Sequence, residues 1–135
     1  DKQREDIHVI KSGSELNAAK LYKQAKRKKD EEDYEGAFKL FMLAAEKGHA
    51  GAQYMVGEAY FWGDGVEENK EAAVKWYKLA AEKGYVDAYY DVGCAYHYGE
   101  GVKENEEEAV RWYKLAAENG IEKAKNMVTY FSRLI

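Results

Sequence analysis

The chain has 135 residues, with 21 Lys and Arg against 25 Asp and Glu for a net charge of −4, 46% apolar residues and no proline. That length holds one ordinary domain or a short repeat array and excludes a second large catalytic domain. The composition excludes wholesale disorder, and the single cysteine excludes an internal disulfide framework or a thiolate zinc cage built from this chain alone.

No apolar run approaches the roughly 20 residues of a spanning helix, so no membrane insertion is expected. The chain reads as soluble, with the cytoplasm the default compartment, although a first residue of Asp1 rather than Met is compatible with a processed or excised N-terminus. Residues 1–14 stand apart as an arm or linker. Ile7 to Ile10 is β-branched enough for a short strand, an extended arm or the remnant of an upstream domain. Ser14 is a fitting N-cap for a helix starting near Glu15.

From there the chain repeats. Sliding it by 36 residues lays Ala44–Leu79 on Ala80–Leu115 with 23 of 36 positions identical. A divergent copy over 15–48 precedes repeats at 49–84 and 85–120, and a partial copy over 121–135 stops after one helix. Each period reads as two helices. The first runs about from Ala50 to Trp62 and from Val86 to Tyr98. The second opens on the N-caps Asn69 and Asn105, with Asp33 in the same place earlier, and ends at Gly48, Gly84 and Gly120, where a left-handed residue closes the last turn. Asn105 followed by Glu108 resembles a capping box. Ala52, Val56, Ala59, Tyr60 and Gly63 form a buried stripe at helical spacing, and the mid-helix Gly57 and Gly93 call for a close helix crossing.

Cations crowd Lys20 to Lys29, six in ten residues. The acidic run Asp30 to Asp33 nearly cancels them, so they read as a solvated helix end complementing the dipole, and no nucleic-acid partner is expected. Gly63-Asp64-Gly65 and Gly99-Glu100-Gly101 follow helices and lack the lysine of a phosphate loop, so they read as turns. Asp64 and Glu100 are too few for the roughly six to eight oxygens of a calcium site. His8, His49 and His97 show no ligand spacing, so no metal or cofactor is expected. Cys94 and His97 are close enough on one helix to pair, yet nothing supplies the third group or oxyanion donors of a nucleophile site. An enzyme using them is the least favoured reading.

The pattern A-x-x-x-V-G-x-A-Y-x-x-G-x-G-V-x-x-N followed by A-V-x-W-Y-x-L-A-A-E-x-G resembles the Sel-one-like repeat family, a subclass of tetratricopeptide-like helical repeats. The resemblance implies an all-α, right-handed superhelical solenoid, here of about three hairpins with a C-terminal capping helix. It also implies first helices lining a concave side and an adaptor function. Some extracellular bacterial members carry a cysteine pair in each repeat, which this chain lacks.

With Ala52 at zero and residues about 100° apart, the buried stripe centres near 20°, whereas Tyr54, Glu58 and Phe61 fall near 180° to 240° and are expected to face outward. Trp62 flanks them. Tyr90, Cys94, His97 and Tyr98 occupy the equivalent places of the next repeat, with Asp91 on the same concave side, and Asn126, Tyr130 and Arg133 those of the cap. Repeat identity fails mainly here, as Met55 becomes Asp91, Glu58 becomes Cys94, Phe61 becomes His97 and Trp62 becomes Tyr98. A common scaffold with a varied aromatic face fits a groove for a partner protein or peptide, with Glu58, Asp91 and Arg133 setting its charge preference. The alternatives are that these aromatics pack on neighbouring helices, or that the face or an array end mediates self-association.

Overall fold

Residues 17–133 are described by a computed structural model, in which every regular element is a helix. After α1, a helix over 17–30, come α2 (Tyr34–Glu46), α3 (Ala50–Trp62), α4 (Lys70–Glu82), α5 (Val86–Tyr98), α6 (Glu106–Glu118) and α7 (Glu122–Arg133). The expected arm over 1–14, its strand and the Ser14 cap lie outside the described residues, as do the last two residues of the cap. Each helix packs chiefly on its neighbours in the chain, the arrangement of an α/α solenoid.

The ends form for local reasons. Asp33, Asn69 and Asn105 each accept from the backbone N–H three residues on, at 2.9, 3.0 and 3.1 Å. The capping box at Asn105 is only half made. Glu108 turns to Arg111 at 3.3 Å, and the Asn105 N–H donates instead to the Tyr96 carbonyl at 2.9 Å. His49, for which the sequence suggested no role, caps α3 by accepting from Ala52 N–H on Nδ1 at 3.0 Å while its ring stacks on Tyr22. Past α2, α4 and α6, Gly48, Gly84 and Gly120 hold φ near +90°, and the following residue reaches back to Ala44, Ala80 or Ala116.

The core is narrow and alanine-rich: Ala52, Val56, Ala88 and Val92 are fully buried, together with Ala73, Ala80, Ala109 and Ala116. Its largest members recur with the period, Phe41, Tyr77 and Tyr113 standing 36 residues apart. The mid-helix glycines exist for the last two. A Cβ on Gly57 would lie 2.7 Å from Tyr77 Cδ1, and one on Gly93 the same distance from Tyr113 Cδ1. The helical cost of glycine, about 1 kcal/mol, is offset by seating a whole phenol ring against the backbone. In the divergent copy Leu21 stands in place of the glycine, and the ring across from it is Phe41. The turn glycines Gly65 and Gly101 press their backbone on the Tyr34 and Lys70 carbonyls, so they stack one hairpin on the previous one.

Candidate functional site

The first-helix face takes its shape from where those phenols point. Tyr77, lying across Gly57, donates its hydroxyl to Glu58 Oε1 at 2.5 Å, tying α4 to α3. One turn earlier on α3, Tyr54 donates to Asp91 Oδ2 at 2.5 Å and so ties α3 to α5. Tyr54 also packs against Tyr77 and Tyr85, with centroids at 5.4 and 5.0 Å. In the next repeat Tyr113 lies across Gly93, but the position of Glu58 is held by Cys94. There the phenol donates to Cys94 Sγ at 3.4 Å and stands 3.2 Å from His97 Nδ1, a pair of contacts satisfied when the Nδ1–H tautomer donates to the phenol oxygen.

The outward orientation expected for Tyr54, Glu58 and Phe61 is corrected by these contacts. Tyr54, Glu58, Phe61, Tyr90, Asp91 and His97 are all half-buried, because α4 and the following first helix reach the side that a wheel drawn on one helix calls outer. Tyr90 packs on Tyr113 at 5.5 Å beneath the Lys123 ammonium at 4.4 Å. His97 stacks on Tyr98 and meets Phe131 edge-on. Trp62, Tyr98 and Tyr130 stay open, at 65%, 61% and 52% exposure, and Arg133 is exposed as well.

Burial sets the electrostatics. Asp91 is pushed up to about 6, first by desolvation and then by the charges of Glu58 and Asp87, against the Tyr54 hydroxyl and the Lys123 ammonium, which pull it down. Burial, and after it Asp91 for Tyr54 and Glu58 for Tyr77, hold these two phenols protonated far above their usual range. Burial pushes the Cys94 thiol up. With the Tyr113 hydroxyl lying between that thiol and the imidazole, the arrangement favours the unreactive thiol over a nucleophile. Among the described residues no group of three His, Cys, Asp or Glu is placed to hold a metal ion.

Two clefts open on this face. One is bounded by Glu58, Phe61 and Trp62 of α3, Val74 and Tyr77 of α4, and Asp91 and Cys94 of α5. The other, shallower, has Phe38 and Phe41 of α2 on one wall and Met55, Glu58 and Ala59 of α3 on the other, with Lys29 and Asp64 at its edge. They are one feature at successive periods, since Phe38, Phe41, Met55, Glu58 and Asp64 become Val74, Tyr77, Asp91, Cys94 and Glu100 36 residues on. Tyr77 and Tyr113 are the members that sequence reasoning missed. The signal was present, as each follows its mid-helix glycine at the same distance.

The Sel1 repeat family model matches residues 29–49, 50–85 and 86–121. A Sel1 repeat protein from Oxalobacter formigenes superimposes with a TM-score of 0.76 at 35% identity, over 81% of this chain and 45% of that one. The protective antigen c5321 of uropathogenic Escherichia coli, with an SLR fold, gives 0.84 at 34% identity, over 87% of this chain and 26% of its own. This chain thus spans less than half of either protein. Helicobacter pylori cysteine rich protein B shares the fold at 20% identity, with a TM-score of 0.65 over 84% of this chain and 96% of that one. No curated protein sequence matches. Among the described residues no helix is long and apolar enough to cross a membrane. Sel1 repeat proteins generally serve as protein-interaction scaffolds and are typically non-catalytic. With three copies of the repeat over more than half of its length, this chain belongs to the Sel1 repeat family.

Proposed function

We propose that the chain is a protein-interaction module that binds a partner polypeptide along its concave first-helix face. The observation that carries this reading is the pair of period-related clefts, one of them edged by the exposed Trp62, with Tyr98, its counterpart 36 residues on, and Tyr130 exposed as well. Exposed aromatic side chains beside clefts supply rigid contact area with a polar edge, the composition found where a few residues dominate binding. The buried phenols Tyr77 and Tyr113 fix the walls rather than touch the partner.

Of the residues expected to bind, Trp62, Tyr98, Tyr130 and Arg133 form the contact surface, whereas Tyr54, Tyr90 and His97 hold the helices that present it. Phe61 lends one edge, packed on Trp62 with centroids 4.8 Å apart. Glu58 and Asp91 supply the charge of the cleft. The pair Trp62→Ala and Tyr98→Ala tests this. Both side chains are mostly exposed, so the double variant is expected to keep its helical circular dichroism and melting temperature while losing at least tenfold in affinity for peptides selected on the wild-type chain. Unchanged affinity would remove the face from consideration and leave self-association through an array end as the reading to pursue.

A further inference from the structure

The two clefts have diverged in one direction. Glu58 lines both clefts, and Lys29 and Asp64 stand at the edge of the first; where the first presents Phe41 and Met55, the second presents Tyr77 and Asp91, so the second gains a carboxylate and a phenol at the places of two apolar side chains. The acidic cleft keeps aromatic walls, with the exposed Trp62 indole at its mouth and Phe61 against it.

One of its three carboxylates is paired within the chain: Glu100, on the rim, is held by Lys70 at 3.1 Å, and the same ammonium lies 5.0 Å over the Phe61 ring. Glu58 and Asp91 each accept one phenol hydroxyl, and among the described residues neither stands within ion-pair distance of a cation. A carboxylate offers about four lone-pair sites, so most of their accepting capacity remains available along a cleft whose other walls are rings. Carboxylates beside aromatic faces, shielded from bulk water, suit an alkylammonium or guanidinium group. Its charge meets the carboxylates, its stem lies along the apolar walls, and its cationic face meets the indole.

The geometry points to a partner polypeptide with two anchors, a lysine or arginine side chain entering the Glu58–Asp91 cleft beside Trp62 and an apolar side chain entering the Phe38–Phe41–Met55 cleft. The two clefts share Glu58 and involve the successive first helices α3 and α5, which the Tyr54–Asp91 bond joins. An extended chain advances about 3.3 Å per residue, so anchors in adjoining clefts fall a few residues apart. This inference rests on the interaction reading and adds the partner's chemistry to it.

The test is a selection of randomised, displayed eight-residue peptides against the 135-residue chain. The expected winners pair Lys or Arg with Leu, Met or Phe a few positions away. Resynthesis with norleucine in place of the basic residue should weaken binding to the wild-type chain at least tenfold. Against the double variant Glu58→Gln and Asp91→Asn, whose side chains still accept the two phenol hydroxyls, the same exchange should cost less than twofold. Winners without a basic residue, or an equal norleucine penalty on both proteins, would overturn the two-anchor inference. If those winners still lose binding on Trp62→Ala with Tyr98→Ala, the interaction reading survives it. A selection that yields no binder at all would overturn both.

Discussion

Asp91→Asn is expected to stabilise the protein at neutral pH and to leave it unchanged in acid. The native carboxyl, pushed up from its ordinary 3.8 to about 6, holds its proton where the unfolded chain has released it. Below the unfolded value both states are protonated and the residue is neutral in each. As pH rises toward 6 the unfolded state ionises first and native stability falls, and above 6 the full penalty is present. That difference corresponds to about 3 kcal/mol. The Tyr54 hydrogen bond to the carboxylate is already contained in that raised value, and the amide accepts the same hydroxyl as the neutral carboxyl does, so the expected gain at pH 7.5 is about 3 kcal/mol. The melting temperature should rise by about 9–15 °C. Urea unfolding followed by circular dichroism at pH 7.5, 5.5 and 4.0 on both proteins reads the effect. Glu58 and Tyr54 of α3, Tyr77 of α4, Asp87 of α5 and Lys123 of α7 are present in both. His49, held below its usual value by burial, destabilises both as the pH falls, so it cancels in the difference. A gain of the same size at all three pH values, or a loss at pH 7.5, would refute the reasoning, since a desolvated charge must act only where it is ionised.

Gly57→Ala should lower stability by about 1–2 kcal/mol in the same assay. The added methyl meets Tyr77 Cδ1 at 2.7 Å, and that overpacking exceeds the roughly 1 kcal/mol gained in helix propensity. A more stable variant would mean that the ring moves freely. Phe131→Ala, which empties the buried end of the array against His97 and Tyr113, should cost about 3–5 kcal/mol and raise amide exchange in α7 before α3. Uniform exchange across the chain would show that α7 is not a separately fraying cap. Cys94, with its thiol pushed up by burial, should react with iodoacetamide at pH 7.5 at least tenfold more slowly than a cysteine peptide and reach the peptide rate in urea. Peptide-like reactivity in the folded protein would restore the nucleophile reading.

The sequence disclosed elements whose causes are local. Asn69 and Asn105 cap the helices they were expected to cap, and α3 and α5 have the expected bounds, because a cap or a left-handed glycine depends only on residues a few positions away. The face was harder to read because its determinants are one helix and one repeat away. A wheel distinguishes only toward and away from a single partner. In a hairpin stack α3 meets α2, α4 and α5, so Tyr54 points away from the stripe of Ala52 and still lands between Tyr77 and Tyr85. The burial of Asp91 was hidden for the same reason, since its donor lies 37 residues earlier. His49 escaped notice because histidine is an uncommon cap, chosen here by the Tyr22 ring that stacks on it.

Periodicity and specificity meet at the hydroxyls of Tyr77 and Tyr113. Both rings are fixed by the same device, a glycine in the facing helix, so their oxygens emerge at equivalent points of successive repeats. What each oxygen meets is decided first by a column that varies, Glu58 in one repeat and Cys94 in the next. With glutamate the hydroxyl holds a carboxylate in place at the cleft wall. With cysteine it faces a neutral thiol, and the imidazole of His97 takes the remaining hydrogen bond. The scaffold is therefore indifferent to the exchange while the cleft is not. Substitutions in this column should redirect which partner side chain is preferred at a cost in stability far smaller than any change to the glycine or tyrosine columns that hold the walls.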